Sequence, residues 1–272
     1  MIESGRATAI SRMSQRHSEP TPIADAWWMR APIETILFDF GGTLDANGVA
    51  WKQRFHALYR AEGLDIAAAA FESRFFAADD PLVGTLSPAT DLSGTVHALV
   101  ANLETQLARG GTGANKSDFA NGDINGDRGR RVASRFLAQA SAAFARNRPV
   151  LAALSERYRL GVVANFYGNL EAVCRGAGLA PFFAILVDSH CVGAEKPDPA
   201  IFRAALDPLD ARPETTVFVG DSLPRDREGA RRVGMRFIWV TPEDSPGETR
   251  ATVDPQVEHA VTELRGLIKI LS

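Results

Sequence analysis

The sequence predicts an α/β fold with a doubly wound parallel sheet and a helical cap domain. Apolar segments rich in β-branched residues predict five strands, at 33–40, 159–166, 182–189, 216–222 and 236–241. Their apolar character is nearly continuous rather than alternating, which is typical of parallel strands covered on both faces. Segments of the right length for crossover helices separate these strands, and this alternation is the pattern of a doubly wound sheet.

The later strands are separated or followed by three predicted helices, at 169–179, 198–209 and 226–234. The last of these ends at Gly234, a residue that commonly terminates helices. The C-terminal segment 259–271 is also predicted to be a helix, one that covers the core. Its apolar residues share one helical face, and they are Val261, Leu264, Ile268 and Leu271.

A long insertion with helical apolar spacing separates Thr43 from Arg159. Because it follows the first strand directly, we expect it to lie over the strand ends as a lid; the alternative is an enlarged crossover with no role in a site. The predicted organisation is a disordered N-terminal tail at 1–31, a core at 32–47 and 148–272, and a helical cap at 48–147. Within the cap, a glycine-rich polar stretch at about 109–129 is predicted to be a flexible loop.

Composition and charge argue against several classes of function. A formal net charge of −3 over 272 residues gives no electrostatic reason to expect binding to nucleic acid or to anionic membranes. No apolar run reaches the roughly 20 residues that span a bilayer, and the N-terminus lacks the apolar stretch of a signal peptide. Two cysteines suit a reducing compartment. We therefore expect a cytoplasmic protein that acts on a small molecule, and the oligomeric state stays open.

Polar residues stand where the predicted strands end or where the next helix begins: Asp39, Asn165, Lys196, Asp221 and Asp226. The carboxyl ends of parallel strands meet at one edge of the sheet, so we expect these side chains to converge. Carboxylates gathered there repel one another unless a cation holds them, and oxygen ligands favour Mg²⁺. Lys196 and main-chain N–H groups of the Gly-Gly-Thr turn could then bind an anionic group such as phosphate.

Four segments occur in a fixed order and at suitable intervals: LFDFGGTL, VVANF, EKPDPAIF and VFVGDSLPRDREGARRVG. Together they resemble the haloacid dehalogenase superfamily of aspartate-nucleophile hydrolases, over about residues 33–242. The resemblance implies a Rossmann-like core with an α-helical cap inserted after the first strand. It also implies a Mg²⁺-dependent phosphatase of a small phosphorylated metabolite, which forms an aspartyl-phosphate intermediate.

The resemblance further implies catalytic and metal-binding roles. Asp39 would be the nucleophile and a Mg²⁺ ligand, and the backbone carbonyl of Gly41 would be the second ligand. Asp221 would be the third ligand, whereas Asp226 would either complete the metal site or orient Lys196. Lys196 would neutralise the nucleophile and the transferring group.

Phosphate binding is assigned by the same resemblance. Gly42, Thr43 and Asn165 would hold the phosphoryl oxygens together with Lys196. Ser222, beside the expected metal ligand, is a plausible supporting hydroxyl. The substrate would be chosen by cap side chains whose arrangement the sequence does not reveal, although Trp51 is a candidate to face the cleft.

Two departures from the family's pattern bear on activity. Family phosphatases usually carry a second aspartate two residues after the nucleophile, as acid and later as base, and Gly41 stands there. General acid–base catalysis is worth roughly 10²–10⁴ in rate. Ala164 replaces the small hydroxyl residue expected before Asn165, which removes one phosphate hydrogen bond. Asp45 and His190 are candidates for a substitute acid, although aspartates in turns more often serve as turn residues.

Three functions therefore stay open. The first is a slow phosphatase, for which a substrate with a good leaving group, such as an acyl phosphate, would need the missing acid least. The second is a catalytically inactive binding or regulatory module that keeps the fold and the metal site. The third is a 2-haloacid dehalogenase, which needs neither proton nor Mg²⁺; it ranks last because family dehalogenases carry an aromatic residue where Gly41 stands, and because the acids of GDSLPRD suit a metal.

Overall fold

The protein is described by a computed structural model over residues 31–109, 127–242 and 259–271. The strands in these ranges form one parallel sheet and are β1 (Thr35–Phe38), β2 (Arg159–Ala164), β3 (Ile185–Asp188), β4 (Thr216–Gly220), β5 (Arg236–Val240) and β6 (His259–Val261). Their order across the sheet is β3-β2-β1-β4-β5-β6. The order reverses between β1 and β4, so the sheet is doubly wound and the predicted fold class is confirmed.

The helices between β1 and β2 are α1 (Trp51–Ala61), α2 (Ala68–Asp79), α3 (Leu92–Arg109) and α4 (Asp127–Ser155). The later helices are α5 (Leu170–Gly176), α6 (Ser189–Val192), α7 (Pro199–Leu206), α8 (Glu228–Val233) and α9 (Gly266–Ile270). Short 3₁₀ turns lie at Asp80–Leu82, Ala180–Phe182 and Pro213–Thr215, and a π-helical turn lies at Leu223–Arg227. No helix within the described ranges is long and apolar enough to cross a bilayer.

Strand β1 lies at the centre of the sheet and is buried along its whole length. Its side chains alternate between two apolar layers, as the period of two in a strand requires. Ile36 and Phe38 pack in the layer that continues into the cap, and Leu37 packs in the opposite layer with side chains of α7. Burial on both faces explains why the strand is apolar from Ile36 to Phe38, and it leaves only the strand ends for polar side chains.

The helical cap has an aromatic interior that joins it to the core. Phe55 of α1 and Phe136 of α4 stack with ring centroids 4.4 Å apart, and Phe75 of α2 lies 5.9 Å from Phe55. Helix α4 runs without a break through residue 147, where the sequence placed the boundary between cap and core. The division at 48–147 therefore remains a prediction.

Two predicted segments lie partly outside the residues that the structure describes. Almost all of the tail predicted at 1–31 lies outside them, as do residues 110–126 of the loop predicted at 109–129. The ends of that loop are helical instead, because Arg109 closes α3 and α4 begins at Asp127.

The helix predicted at 259–271 is wrong in its first part. Residues 259–261 form β6, which adds to the sheet edge in parallel with β5, with Ile238 opposite His259. Helix α9 begins only at Gly266, and Ile268, expected on the buried face, is 41% exposed. Main-chain pairing along the edge of β5 decides this conformation, and apolar spacing over a short segment does not report it.

Candidate active site

The switch point of the sheet brings three carboxylates together. Asp39 directly follows β1, Asp221 directly follows the neighbouring β4, and Asp226 lies in the π-helical turn beyond it. One carboxylate oxygen from each of the three lies within 4.8 Å of the others. The described structure thus places these predicted ligands around a single point.

Lys196 inserts its ammonium group into this cluster. Its Nζ lies 2.5 Å from Oδ1 of Asp39 and 2.8 Å from Oδ1 of Asp226, and its side chain is 2% exposed. Burial alone would lower the pKa of Lys196, but the carboxylates of Asp226 and Asp39 outweigh that effect and raise it. The other Asp226 oxygen accepts the N–H of Ser222 at 2.9 Å. Asp226 therefore pairs directly with Lys196, as one of the two arrangements expected for it requires.

The cluster carries more negative than positive charge. Three carboxylates face one ammonium group, and burial, followed by the charges of Asp39 and Asp226, raises the pKa of Asp221 well above its usual range. Glycine at two positions allows the carboxylates to lie this close to the main chain. A Cβ on Gly42 would lie 2.4 Å from an Asp221 oxygen, and a Cβ on Gly220 would lie 2.3 Å from an Asp226 oxygen. A buried, all-oxygen donor set with excess negative charge fits a hard divalent cation such as Mg²⁺.

The N–H groups of the turn after β1 do not have the role that the sequence predicted, because two of them already have partners within the protein. The Gly42 N–H donates to Oδ1 of Asp45 at 2.7 Å, and the Thr43 N–H points to the Phe40 carbonyl at 3.3 Å. Neither is free for a phosphoryl oxygen. Within the described part of the chain, the N–H groups of Phe40 and Gly41 have no hydrogen-bond partner. Thr43 contributes its hydroxyl instead, which donates to Oδ2 of Asp39 at 3.2 Å.

Asn165 lies at the end of β2 and lines the same cavity as Asp39. Its Oδ1 accepts the N–H of Lys196 at 2.8 Å, and its Nδ2 donates to the carbonyl of Lys196 at 3.3 Å. Both ends of the amide therefore hold the main chain that carries the lysine. The predicted contact of Asn165 with a phosphoryl oxygen remains a prediction.

Neither candidate for a substitute acid faces the cluster. Asp45 is fully buried and accepts hydrogen bonds from the Gly42 N–H, from Nε1 of Trp51 and from Nη1 of Arg54, each at 2.7 Å. Its carboxylate fixes the turn and the start of α1, so it has no freedom to act as an acid. His190 is exposed on α6, where its ring lies against Gly84, and it does not line the cavity that holds Asp39.

The cap covers the position where family phosphatases carry their acid. A Cβ built on Gly41 would lie 3.3 Å from Nε1 of Trp51, whose indole belongs to the first turn of α1. The sequence marked Trp51 as a candidate cleft residue but gave no sign that its ring would stand over Gly41. The bond to Asp45 holds the indole in this place.

A cavity of about 700 Å³ opens from the carboxylate cluster toward the cap. We call it the active-site cleft. Six aromatic residues form what we call its aromatic wall, and they are Trp51, Phe75, Phe76, Phe166, Tyr167 and Trp239. Asp79, the last residue of α2, also lines the cleft, and its Oδ1 accepts the hydroxyl of Tyr167 at 2.5 Å. This bond joins the cap to the segment that follows β2.

Burial raises the pKa of Asp79 from 3.8 to about 6. The Tyr167 hydrogen bond and the charge of Arg225 oppose that rise, whereas the charge of Asp80 adds to it. The folded protein therefore holds the Asp79 proton more tightly than the unfolded chain does. Stability is lost as the pH rises from about 4 to about 6, because the unfolded chain ionises first, and the loss stays constant above that window.

The Asp79→Asn variant tests this pH-dependent loss of stability. The introduced amide stays neutral at every pH, and its oxygen can still accept the Tyr167 hydroxyl. We expect the variant to match the wild type near pH 4 and to exceed its free energy of unfolding by up to about 3 kcal/mol at pH 8. Urea denaturation across this pH range measures the difference. A constant difference at all pH values would contradict the assigned rise in pKa.

A family comparison agrees with this geometry. The family model for haloacid dehalogenase-like hydrolases matches residues 33–234, well over half of the chain. The chain belongs to this family. The match runs from the start of β1 to the end of α8, so this haloacid dehalogenase-like hydrolase has every residue of the cluster inside the matched region.

Curated relatives of this hydrolase match over shorter stretches. Haloacid dehalogenase-like hydrolase domain-containing protein 3 of Bos taurus is 39% identical over 114 residues, which are 42% of this chain and 45% of the relative. A phosphoserine phosphatase of Thermus thermophilus is 42% identical over 82 residues, or 30% and 33% of the two chains. A glyceraldehyde 3-phosphate phosphatase of Pyrococcus furiosus is 31% identical over 118 residues, or 43% and 48%. The chain therefore spans less than half of each of these relatives.

Solved structures extend the likeness of fold over most of the hydrolase. The HAD hydrolase YfnB from Bacillus subtilis superposes with a TM-score of 0.51 at 18% identity, covering 89% of this chain and 100% of its own. An L-2-haloacid dehalogenase superposes with a TM-score of 0.55 at 19% identity, covering 89% and 99%. At such low identity the likeness shows the shared fold alone.

Proposed function

We propose that this hydrolase is a Mg²⁺-dependent phosphatase that acts on a small phosphorylated metabolite through an aspartyl-phosphate on Asp39. The observation that carries the proposal is the environment of Asp39. One of its oxygens pairs with Lys196 and the other accepts the Thr43 hydroxyl, inside a cluster that Asp221 and Asp226 complete. The phosphatase names of two relatives support the same reaction class.

The metal would be held by the carboxylates of Asp39 and Asp221 and by the main-chain carbonyl of Gly41, with Asp226 beside them. When bound, Mg²⁺ would supply positive charge to the phosphoryl oxygens and screen the carboxylates from one another. The excess negative charge of the cluster supports this assignment. A 2-haloacid dehalogenase, by contrast, needs no Mg²⁺.

The chain's own residues account for phosphoryl transfer as follows. An Asp39 oxygen attacks phosphorus, the Lys196 ammonium group neutralises developing charge, and the N–H groups of Phe40 and Gly41 donate to phosphoryl oxygens. Water then attacks phosphorus and releases inorganic phosphate from Asp39. No side chain at Gly41 protonates the leaving group, so turnover of poor leaving groups is slow.

A binding or regulatory module without turnover is the second candidate. It is favoured by the missing acid at Gly41, by the locked carboxylate of Asp45 and by the indole that covers the turn. Such a module would still bind the metal and phosphate but would not catalyse hydrolysis.

Acetyl phosphate separates these functions, because it is small and its leaving group needs no acid. We expect release of inorganic phosphate with Mg²⁺ and none with excess EDTA, together with a rise in melting temperature on adding Mg²⁺. Stabilisation by Mg²⁺ and binding of orthovanadate without any turnover would indicate the binding module. Halide release from 2-chloropropionate in EDTA would indicate a dehalogenase and would overturn the proposal.

A further inference from the structure

The part of the cleft beyond the carboxylate cluster is unusually aromatic. Phe76 of α2 is 39% exposed and lines the cleft beside the other aromatic residues. Trp239 approaches from the core side, where its Nε1 donates to the Asp221 carbonyl at 2.9 Å and fixes the ring beside the cluster. The aromatic wall therefore spans both cap and core around the path that a leaving group must occupy.

Two of the charged side chains that line this region, Lys52 and Asp79, have protein partners, and Arg225 beside them donates from Nε to the Ser222 hydroxyl at 3.4 Å. Lys52 forms an ion pair with Glu72, and its Nζ lies 5.4 Å from the centroid of the Phe76 ring. Asp79 is bonded to the Tyr167 hydroxyl. Apart from Arg225, the surface that remains for a ligand consists mainly of aromatic side chains, and the faces of aromatic rings favour flat apolar groups.

No acidic side chain stands beside the leaving-group oxygen at the turn after β1, and Asp79 of the cap, which also lines the cleft, is bonded to the Tyr167 hydroxyl. Gly41 has no side chain, the Trp51 N–H above it is bonded to Asp45, and Asp45 itself is buried away from the cleft. A leaving group must therefore depart as an anion that is stable without a proton. Phenolates are such anions, whereas alkoxides are far more basic and need protonation.

We propose that the substrates of this site are aryl phosphates, in which the phosphoryl group is esterified to a hydroxyl of a flat aromatic ring. The inference rests on the proposed function. Asp39 forms a bond to phosphorus while the bond from phosphorus to the aryl oxygen breaks, and the electron pair leaves with the phenolate. Water hydrolyses the aspartyl-phosphate to inorganic phosphate, and the phenolate takes its proton from solvent.

The first measurement compares kcat/KM for 2-naphthyl phosphate, phenyl phosphate, acetyl phosphate and phosphoserine in the presence of Mg²⁺. We expect 2-naphthyl phosphate to exceed phenyl phosphate about tenfold and phosphoserine at least about 100-fold. If phosphoserine is hydrolysed as fast as 2-naphthyl phosphate, this inference is overturned. Mg²⁺-dependent hydrolysis of acetyl phosphate in the same experiment would still support the proposed function. Failure with acetyl phosphate, by contrast, overturns the proposed function itself.

Phe76→Ala tests the aromatic wall. We expect it to raise KM for 2-naphthyl phosphate by roughly three- to tenfold and to leave acetyl phosphate unchanged, because only the larger group reaches the ring. Val83→Ala is the matched control, since Val83 is also a cap residue with 39% exposure but does not line the cleft. Equal effects of the two substitutions would overturn the assignment of the wall.

A series of substituted phenyl phosphates tests the missing acid. We expect kcat/KM to fall steeply as the pKa of the phenol rises, and to fall equally steeply in Asp79→Asn. A shallow dependence that steepens in Asp79→Asn would make Asp79 the proton donor and would overturn the inference.

Discussion

Replacing Asp39 by asparagine is expected to reduce phosphate release from acetyl phosphate by roughly 10⁴-fold or more. The amide nitrogen and oxygen are poor nucleophiles, and the neutral side chain no longer pairs with the Lys196 ammonium group. The asparagine side chain would still fit, because it has nearly the same shape as the buried aspartate. The measurement is kcat at saturating Mg²⁺, with circular dichroism to establish that the variant is folded.

Asp188 offers a matched control for this substitution. It ends β3 as Asp39 follows β1, both residues are 6% exposed, and Asp188 does not line the active-site cleft. Its carboxylate accepts the N–H groups of Gly168, Leu170 and His190. We expect Asp188→Asn to lower stability through weaker hydrogen bonds and to change kcat less than about threefold. Comparable losses of kcat in both variants would contradict the role of Asp39 as nucleophile.

The sheet was predictable from the sequence because its central strands are buried on both faces. Burial on both sides favours apolar residues along β1 and β4, and after the threonine that begins each strand the sequence has no polar side chain. Strand β6 was not predictable. It has only three residues, and its conformation depends on pairing with β5 rather than on its own composition.

The convergence of side chains at the strand ends was predictable from the sequence, but the hydrogen bonds around them were not. Strand ends identify Asp39 and Asp221, since the sheet fixes where the chain must leave it. The direction of a side chain in a turn depends on partners that the turn itself brings close. Asp45 accepts hydrogen bonds from Trp51 and Arg54 on α1, so its carboxylate does not face the cluster. Tyr167 donates a hydrogen bond to Asp79, which lies 88 positions away along the chain. Nothing in their local sequence reports these bonds.

Gly41→Asp is expected to restore the proton donor that the turn lacks. Gly41 is not among the residues with positive φ, so an aspartate is allowed there, but its Cβ would lie 3.3 Å from the Trp51 ring and the indole must shift by a few tenths of an ångström. We expect the turnover of an alkyl phosphate such as phosphoserine to rise about 100-fold at saturating Mg²⁺. For an aryl phosphate with an acidic phenol, the first step, measured as phenol release in a single turnover, should change less than about threefold, because its leaving group needs no proton.

The contrast between the two substrates is what assigns the gain to proton transfer. Gly41→Asn imposes the same crowding on Trp51 and provides a hydrogen bond, but it has no acidic proton to transfer. We therefore expect it to leave both rates at or below the wild-type values. An equal gain for the aspartate and asparagine variants would assign the effect to the displaced indole. An equal gain for aryl and alkyl phosphates in the single-turnover first step would assign it to phosphate binding. Only a gain confined to the aspartate and to the basic leaving group shows that Gly41 is the place where this hydrolase lacks its acid.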